Sequence, residues 1–116
     1  MMALAEPSAR GLEHRYNPPK DAKQVLIVAR DGAHVANVYA AGDLQLLARP
    51  CVAVVGSREA STEGRRMAWQ LASELVAQGV VVVSGLAAGI DAAAHSGAIE
   101  TGGRTIAVIG TPLERV

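Results

Sequence analysis

The stretch Cys51–Gly64, CVAVVGSREASTEG, constrains the fold of this chain more than any other. Cys51 to Val55 is a short, wholly apolar run rich in β-branched residues, which suits a strand buried on both faces. Gly56 ends the run, Ser57, Arg58, Ser61 and Thr62 follow, and a helical pattern begins. A strand, a tight turn and a helix N-terminus in that order expose free backbone N–H groups, which favour anions and above all phosphate. Gly56 permits close approach to the backbone. Arg58 offers a planar fork for a pair of phosphate oxygens, and Ser57, Ser61 and Thr62 offer hydroxyls. Alone, the same residues also read as a turn glycine beside a solvated arginine.

The chain downstream weighs toward the first reading. Met67, Ala68, Leu71, Ala72 and Leu75 recur at three- and four-residue spacing, which predicts a helix over 62–78 with Gly79 as its left-handed cap. Trp69, with Val76, falls off that stripe, so the helix is expected to turn it away from its own core. Val80–Val83 is a second buried strand. Ser84, Gly85, Gly89 and Asp91 then form a loop bracketed by glycines, with Asp91 placed to cap the next helix. Ala92–Ile99 is a short helix of small residues, and Thr105–Ile109 a third strand, closed by Gly110 and Thr111.

The result is β-α-β-α-β, which implies a parallel sheet with right-handed crossovers. The loops at Gly56, at Ser84–Asp91 and at Gly110–Thr111 then share the carboxyl edge, where open α/β sheets bind ligands. Neither glycine loop carries Gly-x-Gly-x-x-Gly, and no acidic residue closes the second strand. A nicotinamide or flavin dinucleotide is therefore not expected, and no cofactor is assigned.

Upstream, residues 1–23 hold three prolines and no hydrophobic period and are expected to be a flexible arm. Val25–Val28 and His34–Tyr39 flank Asp31-Gly32, a strong β-hairpin signal. Eleven basic residues balance eleven acidic ones, which argues against a binder driven by net charge and leaves room for a local basic patch. Cys51 is the single cysteine, so neither an internal disulfide nor a cysteine metal cluster is expected. No leader segment or membrane-length apolar run is evident, and a soluble cytoplasmic protein is the expectation.

VAVVGSREAS, VVVVSGLAAGIDAAAH and GGRTIAVIGTPLERV, with VYAAGDLQLLARP upstream, resemble the DNA-processing protein A family, DprA or Smf, over residues 35–116. The resemblance implies residues 24–116 as a truncated, partial Rossmann-like domain. Its parallel sheet would carry helices on both faces in three layers, preceded by the hairpin and the arm. It also implies binding of single-stranded DNA and RecA loading in transformation and recombination; no nucleophile–base pair stands at a plausible spacing, so no catalysis is expected. By residue it places Gly56, Ser57, Arg58 and Ser61 in a first phosphate loop, Ser84, Gly85, Gly89 and Asp91 in a second, and Gly110 and Thr111 in a third. His95 matches the family's Ala-Ala-His and reads as a packed histidine, although its spacing from Asp91 also suits an ion pair. Family members usually carry Arg or Lys where Ala88 stands, so one phosphate contact is missing. The family's domain also continues past Val116, so a bare sheet edge and a homo-oligomer anchored by Trp69 are expected.

Two other functions compete. One is nucleotide sensing in the manner of the LOG-related Rossmann-like group, whose Pro-Gly-Gly-x-Gly-Thr loop is absent here. The other is an inactive truncated homologue. The scarcity of aromatics, with one Trp, two Tyr and no Phe, counts against tight base stacking.

Overall fold

A computed structural model describes residues 1–5, 20, 22–28, 32 and 34–109. Their elements are strands β1 (Met2–Ala5), β2 (Lys23–Val28) and β3 (His34–Ala41), a 3-10 turn (Leu44–Ala48), β4 (Cys51–Ala53), helix α1 (Thr62–Ala77), β5 (Val81–Ser84), helix α2 (Ile90–Glu100) and β6 (Thr105–Ile109). They make one mixed sheet of order β2-β3-β1-β6-β5-β4. β4, β5 and β6 run parallel through α1 and α2, and the fold is a partial Rossmann-like α/β domain.

Local sequence explains the α1 limits. Ser61 is the N-cap, and its Oγ accepts the Gly64 N–H at 3.0 Å. Such a cap contributes about 1 kcal/mol. At the other end Gly79 takes φ +75°, and the Val80 N–H returns to the Leu75 carbonyl.

Alternation along the strands sends neighbouring residues to opposite faces. Val82 and Val54 meet Ala72 of α1 and Ala94 and Ala98 of α2 on one face. Val81 and Ile106 meet Met2, Leu4, Val38, Ala40 and Leu46 on the other. No helix of the described residues is long and apolar enough to cross a membrane.

Five expectations need correction. Residues 2–5 are not part of a flexible arm: β1 pairs parallel with β6 and antiparallel with β3, and Met2 is fully buried. Burying Met2 and Leu4 contributes about 1.5–3 kcal/mol each, which offsets the ordering of so short a segment. The rest of the proposed arm, residues 6–19 and 21, lies outside the described residues.

Second, the sheet is not wholly parallel. β2 and β3 form the hairpin as expected, with Gly32 at φ +87°, but β1 welds it to the parallel strands, so the sheet is mixed. Third, α1 and α2 share one face, because successive crossovers that step in one direction along a sheet stay on one side of it. Among the described residues the other face is covered by the 3-10 turn, through Leu46.

Fourth, the Cys51–Val55 run is not buried on both faces. β4 is an edge strand among the described residues, with Cys51, Val52 and Ala53 exposed and only Val54 buried beyond them. Fifth, Trp69 and Val76 are not turned away from the core. The buried line of α1 is Ala68 and Ala72, flanked by half-buried Leu75 and Val76, while Met67 and Leu71 are exposed. Trp69 faces α2 and donates its indole N–H to Glu100 Oε2 at 2.6 Å. Gly97 makes this contact possible, since a Cβ there would strike the Trp69 backbone.

Candidate functional site

The loops that follow β4 and β5 meet at the carboxyl edge of the sheet. The Ile90 N–H donates to the Ser57 carbonyl at 3.1 Å, and the Gly56 N–H to Asp91 Oδ1 at 3.3 Å. Gly89, at φ +78°, lies so close under the Ser57 and Arg58 carbonyls that no side chain fits there. The two loops therefore form one unit, which is the convergence the strand order implies. Gly110 and Thr111, assigned to a third loop, lie outside the described residues.

Within this unit the assigned residues divide by role. Arg58 sits at the tip of the first loop, exposed, with no hydrogen bond or ion pair among the described residues. Its neighbour Ser57 is exposed and accepts the Glu59 N–H at 3.0 Å, which shapes the turn. Ser61 spends its lone pair on the α1 cap and keeps its hydroxyl hydrogen free for another acceptor.

Gly56 is required by packing rather than by an approaching ligand: a Cβ would lie 2.7 Å from the Ile90 side chain. Ser84 is buried, and its Oγ donates to the Val54 carbonyl at 2.5 Å. This ties β5 to the end of β4 and leaves no hydroxyl hydrogen for a phosphate, so Ser84 is a strut of the loop unit.

Asp91 departs from the expected cap. Gly89 is the N-cap of α2, without any side-chain cap bond, and the buried Asp91 carboxylate reaches across to Gly56 instead. A carboxylate in the first turn of α2 occupies the positive end of that helix. The second loop is therefore a weaker anion trap than its glycines suggest. Gly85 also stands against Asp91, where a Cβ would lie 2.7 Å from Oδ2, and its carbonyl is bonded to His95 Nε2 at 2.7 Å. Asp91 and His95 thus go to different partners and form no ion pair with each other. His95 is packed, as its position near the helix start suggested, and its Nδ1 is buried without a partner among the described residues. Ala88 is exposed at the turn before Gly89, where a longer basic side chain would have room.

Two features of the helix layer beside the loops escaped sequence reasoning. Arg65 folds back on the first turn, donating to the Ala60 carbonyl at 2.6 Å and to Thr62 Oγ1 at 3.3 Å. Arg66 pairs with Glu63, and that partner holds the Glu63 carboxyl below the usual range. The signal for the Trp69–α2 contact was Gly97, an isolated glycine within a helical pattern.

Comparison with known proteins identifies the family. Residues 18–116 match the family described as DNA recombination-mediator protein A. The DNA processing protein DprA of Streptococcus pneumoniae is 53% identical over 77 residues, covering 63% of this chain and 26% of that protein. Protein Smf of Synechocystis is 48% identical over 67 residues, 58% of this chain and 17% of its own length. DprA of Bacillus subtilis is 37% identical over 82 residues, 70% and 28% respectively. The X-ray structure of the S. pneumoniae protein superposes with a TM-score of 0.64 at 48% identity, covering 68% of this chain and 28% of that one. The chain thus spans about a quarter or less of the length of these relatives. With a family match over most of its length and the loop unit at the edge of the matching fold, the chain belongs to the DNA recombination-mediator protein A family, DprA/Smf.

Proposed function

We propose that this chain binds single-stranded DNA through the loop unit at the carboxyl edge of its sheet, with Arg58 as the principal phosphate contact. The observation that carries this is the Arg58 guanidinium, exposed at the loop tip and without a partner among the described residues. Around it the Ser61 hydroxyl and the first-turn N–H groups of α1 add donors. Ser84, Gly85, Gly89 and Asp91 act beneath that surface, holding the two loops together.

The chain acts by binding and not by catalysis. Family membership supports a role in DNA processing or recombination. RecA loading during transformation extends that role, with RecA and a second copy of the chain as its protein partners. The exposed apolar residues Val52, Val55, Met67 and Leu71, at or beside the β4 edge that is unpaired among the described residues, are where self-association would act.

A salt-titrated binding curve with a labelled single-stranded oligonucleotide tests the reading. Arg58→Ala should weaken binding and flatten the salt slope by about 0.7–1 unit, the loss of one phosphate contact. Unchanged affinity and slope would remove Arg58 from the site. A mononucleotide that raises the melting temperature where oligonucleotides do not would favour nucleotide sensing instead.

A further inference from the structure

A furrow of about 570 Å³ runs between α1 and α2. Thr62, Arg65, Arg66 and Trp69 line it on the α1 side, and Ala93 and Ser96 on the α2 side. We propose that this furrow is a stacking platform for a base of single-stranded DNA, with Trp69 as the platform and Arg65 as the flanking cation. The proposal rests on the reading that the strand's phosphates sit at the adjoining loop unit.

Three observations carry it. Trp69 is half buried, and its one polar hydrogen is committed to Glu100, so the ring is held in place and offers only apolar and π surface. The small residues Ala93 and Ser96 keep the α2 wall low, where a large side chain would fill the furrow. Of the two arginines, Arg66 is neutralised by Glu63, whereas Arg65 bonds only to the neutral Ala60 carbonyl and Thr62 hydroxyl. Arg65 thus has no carboxylate partner among the described residues and borders an aromatic ring whose N–H holds the Glu100 carboxylate. That combination of ring and cation is what sequence-tolerant single-strand binders use.

The furrow also starts at the first turn of α1, directly after the first loop. It opens at Thr62, next to the Ser61 cap, and Trp69 lies about 10 Å further along the axis of α1. A strand held at Arg58 can continue along α1 into it. The shortage of aromatics in the chain is then met by one ring set at the side of the anion site.

Trp69 is the only tryptophan, so its emission reports on this furrow alone. The experiment compares an oligo-dT strand with an abasic strand of equal length. Oligo-dT should quench Trp69, while the abasic strand leaves emission unchanged and binds at least about fivefold more weakly. Trp69→Phe should retain binding, and Trp69→Ala should lose at least about fivefold with the salt slope unchanged.

Removing Trp69 also opens the α1–α2 contact, so Ser96→Glu serves as a second variant. Ser96 is exposed, and a carboxylate there should weaken oligo-dT binding by about fivefold while leaving the free protein's emission as in the parent. Equal binding of both strands, or oligo-dT binding without quenching and without an effect of Ser96→Glu, overturns the furrow and leaves the loop reading standing. Failure of both strands to bind overturns the loop reading and the furrow with it.

Discussion

Ser84→Ala separates a ligand hydroxyl from a strut. Ser84 is 2% exposed, and its Oγ donates to the Val54 carbonyl, which belongs to an 8% exposed residue at the end of the edge strand. Removing the hydroxyl deletes a neutral hydrogen bond worth about 0.5–1.5 kcal/mol and strands a largely buried acceptor, a cost of about 1–3 kcal/mol. Because Val55 and Gly56 next door are exposed, water can reach part of that carbonyl, and the lower half of the range applies. The expected loss is about 1–2 kcal/mol, a fall in Tm of about 5–10 °C for a domain of this size. Urea unfolding followed by Trp69 emission and by circular dichroism measures it. The affinity of the folded variant for a single-stranded oligonucleotide, and its salt slope, should match the parent. Parental stability combined with weakened DNA binding would refute the assignment, because the hydroxyl would then face the ligand.

Gly97→Ala gains about 1 kcal/mol in helix propensity, yet its Cβ would strike the Trp69 backbone, an overpacking cost of about 1–3 kcal/mol or more; urea unfolding should show net destabilisation, and a variant as stable as the parent would mean that α1 and α2 do not touch there. Ala88→Arg, at an exposed turn with room for the side chain, should tighten oligonucleotide binding and steepen the salt slope by about 0.7–1 unit; a flat response in a folded variant would show that the second loop does not face the strand. If copies associate through the β4 edge, light scattering across a concentration series should show growth in mass that Leu71→Glu abolishes and Trp69→Phe does not, since Leu71 is exposed beside that edge and Trp69 faces α2.

Much of the scaffold was legible because it depends on neighbours in sequence. The start of α1 at Thr62, the Gly79 terminus and the apolar β-branched runs at Val81–Val83 and Thr105–Ile109 follow from backbone preference and periodicity over a few residues. The Asp31-Gly32 turn signal foretold the β2–β3 hairpin for the same reason. The meeting of the two loops also followed, since parallel strands joined by helices bring their carboxyl ends to one edge.

What each residue does within that site was decided only in three dimensions. Ser84 and Asp91 have the side chains of anion-site residues, but their hydrogen bonds close on Val54 and Gly56, thirty or more positions away. Gly56 and Gly97 look like turn or flexibility residues and are instead points where Ile90 and Trp69 press in. Met2–Ala5 carries no period long enough to announce a strand, yet two distant strands flank it and bury Met2 and Leu4. Sequence alone determined every element but β1, because those are set by φ/ψ preference and apolar spacing within a short window. Tertiary structure decided the partners, because burial and hydrogen-bond satisfaction depend on which remote surface meets each side chain.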